Sequence, residues 1–311
     1  MGVKQGPSDS PPQGARDGPP EPYPTDSPLG RGRDRAVLPH RRRLWPPQPG
    51  AEGYASLKRL SDSEVLALTL FQQLRGVQSE RSFLRDAARF FVHLFPGVAG
   101  LHPSSFHRRV RKLRSFLEPL RRVVVAELVG DPETLVVDST LLEVLHPRQV
   151  AQSAGFDGAS WVRWGSFVLY GVKLHLLCST NRVPVSYELT PASAADVLLV
   201  EELLEEARLG GGTARRLFGD LAYRSGPLKE TLVERGVLLA SERAERRPAI
   251  RQQAEVCFAT LKRTFGMDGT LATTLVGLAS RIAAKICAHA YGLYINRLLG
   301  RPQGRIKELW A

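Results

Sequence analysis

Three acidic residues, Asp138, Asp220 and Glu255, stand where a site for divalent metal ions would need them. Each aspartate closes a short apolar run, and Glu255 lies in a segment with helical periodicity. Hard cations such as Mg²⁺ prefer carboxylate oxygens. A nucleophile attacks a phosphodiester efficiently between two such ions about 4 Å apart, because one ion activates the nucleophile and the other stabilises the leaving oxygen. The three residues are far apart in the chain, so only the fold can bring them together.

The segment around Glu255 predicts a helix with a carboxylate at the edge of its apolar face. Arg251, Glu255 and Lys262 fall within about 40° of one another at the border of an apolar stripe, which consists of Phe258, Leu261 and Phe265. An ordinary surface ion pair between Arg251 and Glu255 at i, i+4 is the alternative. We favour the metal-site interpretation because two strand-terminal aspartates precede this helix.

The elements that must position these residues form an α/β pattern. Apolar runs predict strands at 135–139, 167–178, 183–189, 216–220 and 237–240, the second and third forming a hairpin. Amphipathic periodicity predicts helices at 194–209, 227–235, 251–265 and 278–298. We therefore expect a mixed sheet, antiparallel at its start and parallel in its later strands. Asp196 is expected to be an acid at a helix N-terminus.

A helical region precedes the sheet. Ser61 and Glu64 form a possible capping box before a first helix, and further helices are predicted at 80–94 and 103–125. The third is strongly basic, and we expect it to contact DNA phosphates through Arg108, Arg109, Arg111 and Lys112. The alternative is a solvated basic helix face.

Composition limits the partners and the compartment. The chain has 311 residues, 43% of them hydrophobic, and a formal net charge of +12, which favours DNA, RNA or an anionic membrane surface. Apolar runs are too short for a membrane span. Three cysteines without a paired spacing indicate a reducing, cytoplasmic setting.

Three regions follow from these patterns. The Pro, Gly and Arg content of residues 1–55 predicts a disordered tail. The tail either has no function or acts as a basic arm, and we favour a tail without function. We expect residues 56–130 to form a helical, DNA-binding region. We expect residues 131–311 to form the catalytic domain.

Four motifs carry a resemblance to a known family. They are Leu135-Val-Val-Asp-Ser-Thr140, Tyr170-Gly-Val-Lys-Leu-His175, Gly219-Asp-Leu-Ala-Tyr223 and Arg251-x3-Glu255-x6-Lys262-Arg-x-Phe265. Together they resemble the DDE transposases of bacterial insertion sequences, nearest to the group numbered nine-eight-two, which is related to the IS-four type. The similarity spans about residues 56 to 309.

The resemblance implies an RNase H-like catalytic domain that cleaves and transfers DNA strands at the terminal inverted repeats of a mobile element. It implies two Mg²⁺ or Mn²⁺ ions held by Asp138, Asp220 and Glu255. Arg251 and Lys262 would contact DNA near the scissile phosphate. Lys173 and His175 share a strand face and would approach the site or the DNA, a structural histidine being the alternative for His175.

The same resemblance implies DNA partners, namely element ends and target, a homodimer in the synaptic complex and a nucleoid-associated, cytoplasmic location. Two other interpretations stay open: a catalytically inactive DNA-binding remnant that regulates the element, and an RNase H-like nuclease without strand transfer.

Overall fold

The computed structural model describes residues 59–309, except positions 151, 154, 208–213 and 242–247. The predicted tail, residues 1–55, therefore lies outside the described residues. In the described part, no helix is both long and apolar enough to cross a bilayer.

Three helices precede the sheet: α1 (Asp62–Leu74), α2 (Glu80–Phe90) and α3 (Pro103–Val129). The predicted capping box is confirmed, because Glu64 N donates to Ser61 Oγ and Ser61 N donates to Glu64 Oε2 at 2.6 Å. Helix α2 ends earlier than predicted. Helix α3 extends past the predicted residue 125 until Gly130, whose positive φ of 61° ends it.

Six strands form one mixed sheet. They are β1 (Thr134–Leu145), β2 (Ser160–Trp164), β3 (Phe167–Ser179), β4 (Pro184–Pro191), β5 (Arg216–Phe218) and β6 (Leu238–Ala240). The strand order is β2-β3-β1-β5-β6, and β4 also pairs with β3. Pairs among β1 to β4 are antiparallel, whereas β1 with β5 and β5 with β6 are parallel. The predicted mixed sheet and its hairpin are therefore confirmed.

The remaining helices flank or follow the strands. They are α4 (Pro147–Val150), α5 (Val200–Glu206), α6 (Gly226–Glu234), α7 (Pro248–Arg263) and α8 (Leu275–Leu298). Short 3₁₀ turns cover Pro96–Val98, Asp196–Leu199, Leu221–Tyr223, Met267–Gly269 and Ile306–Leu309. The helix predicted at 194–209 is shorter, because Ala195 is extended and residues 196–199 form a 3₁₀ turn.

The first strands differ from the sequence prediction in two ways. Strand β1 does not end at Ser139 but continues to Leu145, because residues 140–145 pair with β3 from Leu174 back to Tyr170. Strand β2 was not predicted, and it pairs antiparallel with the first residues of β3. Asp138 therefore lies within a strand, at the point where the parallel partner β5 has ended.

The N-terminal helices share a core with the sheet. Helix α8 is buried along most of its length and packs against α1, α3, α7 and β4. Leu117, Val124 and Leu128 of α3 belong to the same apolar cluster as the strands. A second, smaller cluster lies among α1, α2 and α3 around Phe83 and Phe106.

Candidate active site

Two parallel strands place Asp138 and Asp220 side by side. Val136 of β1 is in register with Phe218 of β5, and each aspartate follows its paired residue by two positions. Because parallel strands run in the same direction, both aspartates follow the β1–β5 pairing at the same end of it. Asp138 and Asp220 therefore both line the cavity at this end of the β1–β5 pairing.

Backbone groups hold both carboxylates. Ser139 N donates to Asp138 Oδ1 at 2.9 Å, and Ala222 N donates to Asp220 Oδ1 at 2.8 Å. The second bond caps the turn Leu221–Tyr223. A Cβ at Gly219 would lie 3.0 Å from the ring of buried Tyr223, so glycine lets this ring fold back under the aspartate. Close packing therefore explains the Gly-Asp-x-x-Tyr motif.

Helix α7 brings Glu255 to the same side of the molecule. It packs on β1 and β3 through the buried residues Ala254, Cys257, Phe258 and Leu261. The Glu255 side chain is 59% exposed, and its Oε1 lies 3.8 Å from an Arg251 guanidinium nitrogen. The i, i+4 ion pair, which was the alternative to the metal-site interpretation, is therefore present, and Glu255 stands further into solvent than Asp138.

The three acids influence one another electrostatically. Burial raises the pKa of Asp138 to about 6. The Ser139 N–H and the Arg251 charge lower this pKa, whereas the negative charges of Asp220 and Glu255 raise it further. A cation bound among these carboxylates would relieve that repulsion.

An open cavity of about 710 Å³ contains the aspartates. It is lined by Asp138, Ser139, Thr140, Leu141, Glu143, Val162, Arg163, Leu169, Lys173, Asp196, Asp220, Lys262 and Asp268. Glu255 is not among these lining residues. The cavity thus combines an acidic floor with three basic side chains, a combination that suits metal ions together with an anionic substrate.

The triad is not as tightly gathered as a single-ion site. Among the residues that the structure describes, only Glu188, Glu202 and Glu206 bring three ligand atoms within 4.8 Å of one another. Two ions about 4 Å apart spread their ligands over a wider span than one ion does. The ligand atoms of Asp138, Asp220 and Glu255 are therefore not gathered around one point in this structure.

Asp196 lines the cavity. From the sequence, this residue was expected only to be an acid at a helix N-terminus. Its Oδ1 accepts a hydrogen bond from Ser139 Oγ at 2.6 Å and lies 3.3 Å from Lys173 Nζ. Ser139 thus donates to Asp138 through its N–H and to Asp196 through its hydroxyl. Position alone did not signal this role, because the contact depends on the long antiparallel pairing of β1 with β3.

The structure separates the basic residues that were predicted to bind DNA. Lys173 Nζ donates to Ala194 O at 2.7 Å, and Lys262 lies 3.2 Å from Asp268. Both line the cavity, whereas Arg251 lies beside Glu255. Arg163, which sequence reasoning did not select, also lines the cavity and is exposed.

The basic residues of α3 lie elsewhere, since none of them lines this cavity. Arg109 is held by Leu60 O at 2.8 Å and by Asp62 at 2.5 Å. Arg108, Arg111 and Lys112 are also absent from the cavity lining, and Arg111 and Lys112 are exposed.

His175 lies inside the sheet. It is fully buried, and its Nε2 is 2.8 Å from Thr190 Oγ1. Burial lowers its pKa to about 4, although Asp196 acts in the opposite direction. A neutral imidazole that packs beside Asp196 and Lys173 accounts for these contacts.

A cavity that combines carboxylates with basic side chains can hold divalent metal ions together with a polyanion. The transposase DDE domain family matches residues 130–291, which include all three acids, and the chain belongs to this family. The protein is accordingly a transposase, an enzyme of DNA transposition, and the resemblance to DDE transposases is confirmed.

One solved transposase structure is also similar. It is the cryo-EM structure of the piggyBac transposase synaptic complex with hairpin DNA, at 12% identity and a TM-score of 0.42, covering 80% of this chain and 70% of that chain. Comparison with the curated proteins gives no match.

Proposed function

We propose that this transposase cleaves DNA at the terminal inverted repeats of an insertion sequence and transfers the freed strand to a target. The element would belong to the group numbered nine-eight-two, related to the IS-four type. The observation that carries the proposal is that Asp138 and Asp220 follow paired strand residues and line one open cavity, together with the basic residues Arg163, Lys173 and Lys262. The strand arrangement around this pair supports an RNase H-like catalytic domain.

Asp138, Asp220 and Glu255 would hold two divalent ions, Mg²⁺ or Mn²⁺. The donor set fits, because all three are carboxylates and the pKa of Asp138 is raised partly by the charges of the other two. When bound, the ions would activate the attacking oxygen and stabilise the leaving oxygen. The Glu255 side chain is 59% exposed, so tight packing does not fix its position.

The chain's own groups would orient the carboxylates and the DNA. The N–H groups of Ser139 and Ala222 each occupy one carboxylate oxygen, which leaves the remaining lone pairs free for ligands. Lys262 and Arg163, on different elements of the cavity wall, would contact phosphates on either side of the scissile bond. Lys173 would act mainly through Asp196, which it neutralises.

Binding of the element ends would extend to the helical region. Arg108 and Arg111 of α3 are exposed, and the net charge of +12 favours a long contact with DNA. We propose that the enzyme works as a homodimer on two element ends, in the nucleoid of the cytoplasm.

A second candidate is a catalytically inactive DNA-binding regulator of the element. The observation that favours it is the position of Glu255, which is exposed and outside the cavity lining. Such a protein would bind element ends in the presence of a chelator and would release no nicked product with either metal.

The two candidates are separated by cleavage assays on a plasmid that carries the element ends. Asp138→Asn, Asp220→Asn and Glu255→Gln should each abolish cleavage in Mg²⁺ and in Mn²⁺. End binding in EDTA, measured by gel shift, should persist. Asp157→Asn, in an exposed turn and outside the cavity lining, is the matched control and should cleave normally. Full cleavage by any of the three variants would refute the assignment, and an inactive wild type would support the regulator.

A further inference from the structure

Helix α3 carries an exposed apolar stripe that the proposed chemistry does not use. Phe116 and Val123 are 51% and 67% exposed, and Pro119 lies between them, also in solvent. At 100° per residue, these three side chains share one face of the helix with Lys112 and Glu127, all within about 80° of one another. Large apolar side chains grouped on one face of a helix are typical of a protein contact.

The stripe has a symmetric arrangement of charge. Its midpoint lies between Pro119 and Leu120. Phe116 and Val123 are equally far from this midpoint on either side, and so are Lys112 and Glu127. Reversing the helix direction about this midpoint therefore places Lys112 at the position of Glu127, and Glu127 at the position of Lys112.

We propose that this stripe is the contact surface for a second copy of the same chain, with the two α3 helices antiparallel about a twofold axis. In that arrangement Phe116 of each copy faces Val123 of the other, because a twofold interface is self-complementary. Lys112 of each copy faces Glu127 of the other, which forms two ion pairs at the ends of the apolar contact. A parallel arrangement would place like charges together and is disfavoured.

The charged residues are available for this contact. In the described part of the chain, the side chains of Lys112 and Glu127 form no ion pair, and both are exposed. The helix end that bears Glu127 is anchored, because an Arg297 guanidinium donates to the Glu127 carbonyl oxygen. Helix α3 also packs along α8. The stripe is therefore presented on a rigid support, which lowers the entropy lost on association.

This inference supplies an interface for the homodimer of the proposed function and rests on that function only for the expectation of two copies. The test uses the full chain without DNA or metal, so its failure leaves the cleavage assignment untouched. Sedimentation velocity over a range of protein concentrations should show a monomer–dimer equilibrium. Lys112→Glu and Glu127→Lys should each weaken dimerisation by about tenfold or more, because each turns two attractions into repulsions.

Mixing the two single variants gives the decisive measurement. The glutamate introduced in one chain then faces the lysine introduced in the other, and the unchanged Lys112 and Glu127 also meet, so a heterodimer of wild-type affinity should form. Recovery in the mixture would show that both variants are folded. Val123→Asp should also prevent dimerisation. Val233→Asp, at a 53% exposed valine on α6, is the matched control and should not.

Three outcomes would overturn the proposal. The first is a wild type that stays monomeric at every concentration. The second is a pair of charge variants that each dimerise poorly and do not associate when mixed. In the third, Lys112→Glu leaves the oligomeric state unchanged and weakens DNA binding, which would make the stripe a DNA surface.

Discussion

Lys285, in the middle of α8, gives the sharpest test of the interior of this fold. The side chain is 1% exposed, and its ammonium donates to Gln78 Oε1 at 2.7 Å, to Gln73 Oε1 at 3.1 Å and to the Phe265 carbonyl. These acceptors come from the N-terminal helical region and from the residues just after α7, so one lysine joins that region to the segment that bears Glu255.

Burial makes this lysine sensitive to pH. Desolvation, with a smaller contribution from the positive charge of Arg281, lowers the pKa of Lys285 to about 7. In the unfolded chain a lysine keeps its proton up to about pH 10.4. Between these values the unfolded state binds one proton more than the folded state, so the free energy of unfolding should rise with pH.

The size of the effect follows from the two pKa values. Between about pH 7.5 and about pH 9.5, the contribution of Lys285 should increase the free energy of unfolding by roughly 2 to 3 kcal/mol. Urea denaturation of the wild type and of Lys285→Met at each pH measures it, since other titrating groups cancel in the difference. The free energy of unfolding of the wild type minus that of Lys285→Met should therefore increase with pH.

A companion variant tests the cause of the shift. Arg281→Gln removes the neighbouring positive charge, so the pKa of Lys285 should increase and the pH-dependent difference should begin at a higher pH. A difference between wild type and Lys285→Met that stays constant with pH would refute the reasoning. It would mean that the three acceptors keep the ammonium protonated despite its burial.

Two further predictions concern stability. Arg121 is fully buried and donates to Glu118 and to Pro184 O at 2.6 Å. Arg121→Met should lower the free energy of unfolding by about 3 kcal/mol in urea denaturation, whereas exposed Arg85→Met should change it little. A Cβ at Gly171 would overlap the Leu142 carbonyl oxygen on β1. Gly171→Ala should therefore cost about 2 kcal/mol or more, and a loss no larger than that of Gly269→Ala, where nothing lies within reach, would contradict it.

Local patterns were sufficient to predict many elements. The capping box at Ser61 and Glu64 formed as expected, because its hydrogen bonds join residues three apart in the chain. The β3–β4 hairpin also formed, with Arg182 at a positive φ of 66° in its turn. The parallel pairing of the later strands β5 and β6 followed from the alternation of short apolar runs with helices.

Other features had no local signal. Residues 140–145 extend β1 only because β3 lies beside them, and β2 is a strand only because it pairs with the start of β3. Asp196 reaches Ser139 because the 3₁₀ turn after β4 folds back over the sheet. Pairing partners far away in the chain decided all three.

The amino-acid sequence by itself singled out Asp138, Asp220 and Glu255 as candidate site residues, because the two aspartates end apolar runs and Glu255 lies in a segment with helical amphipathic periodicity. Only the tertiary structure decided how these acids are surrounded. It placed Asp138 and Asp220 in one cavity with Arg163 and Asp196, and it left Glu255 in solvent. The physical reason is that side-chain periodicity is a local property, whereas burial and charge proximity depend on which distant segments pack together.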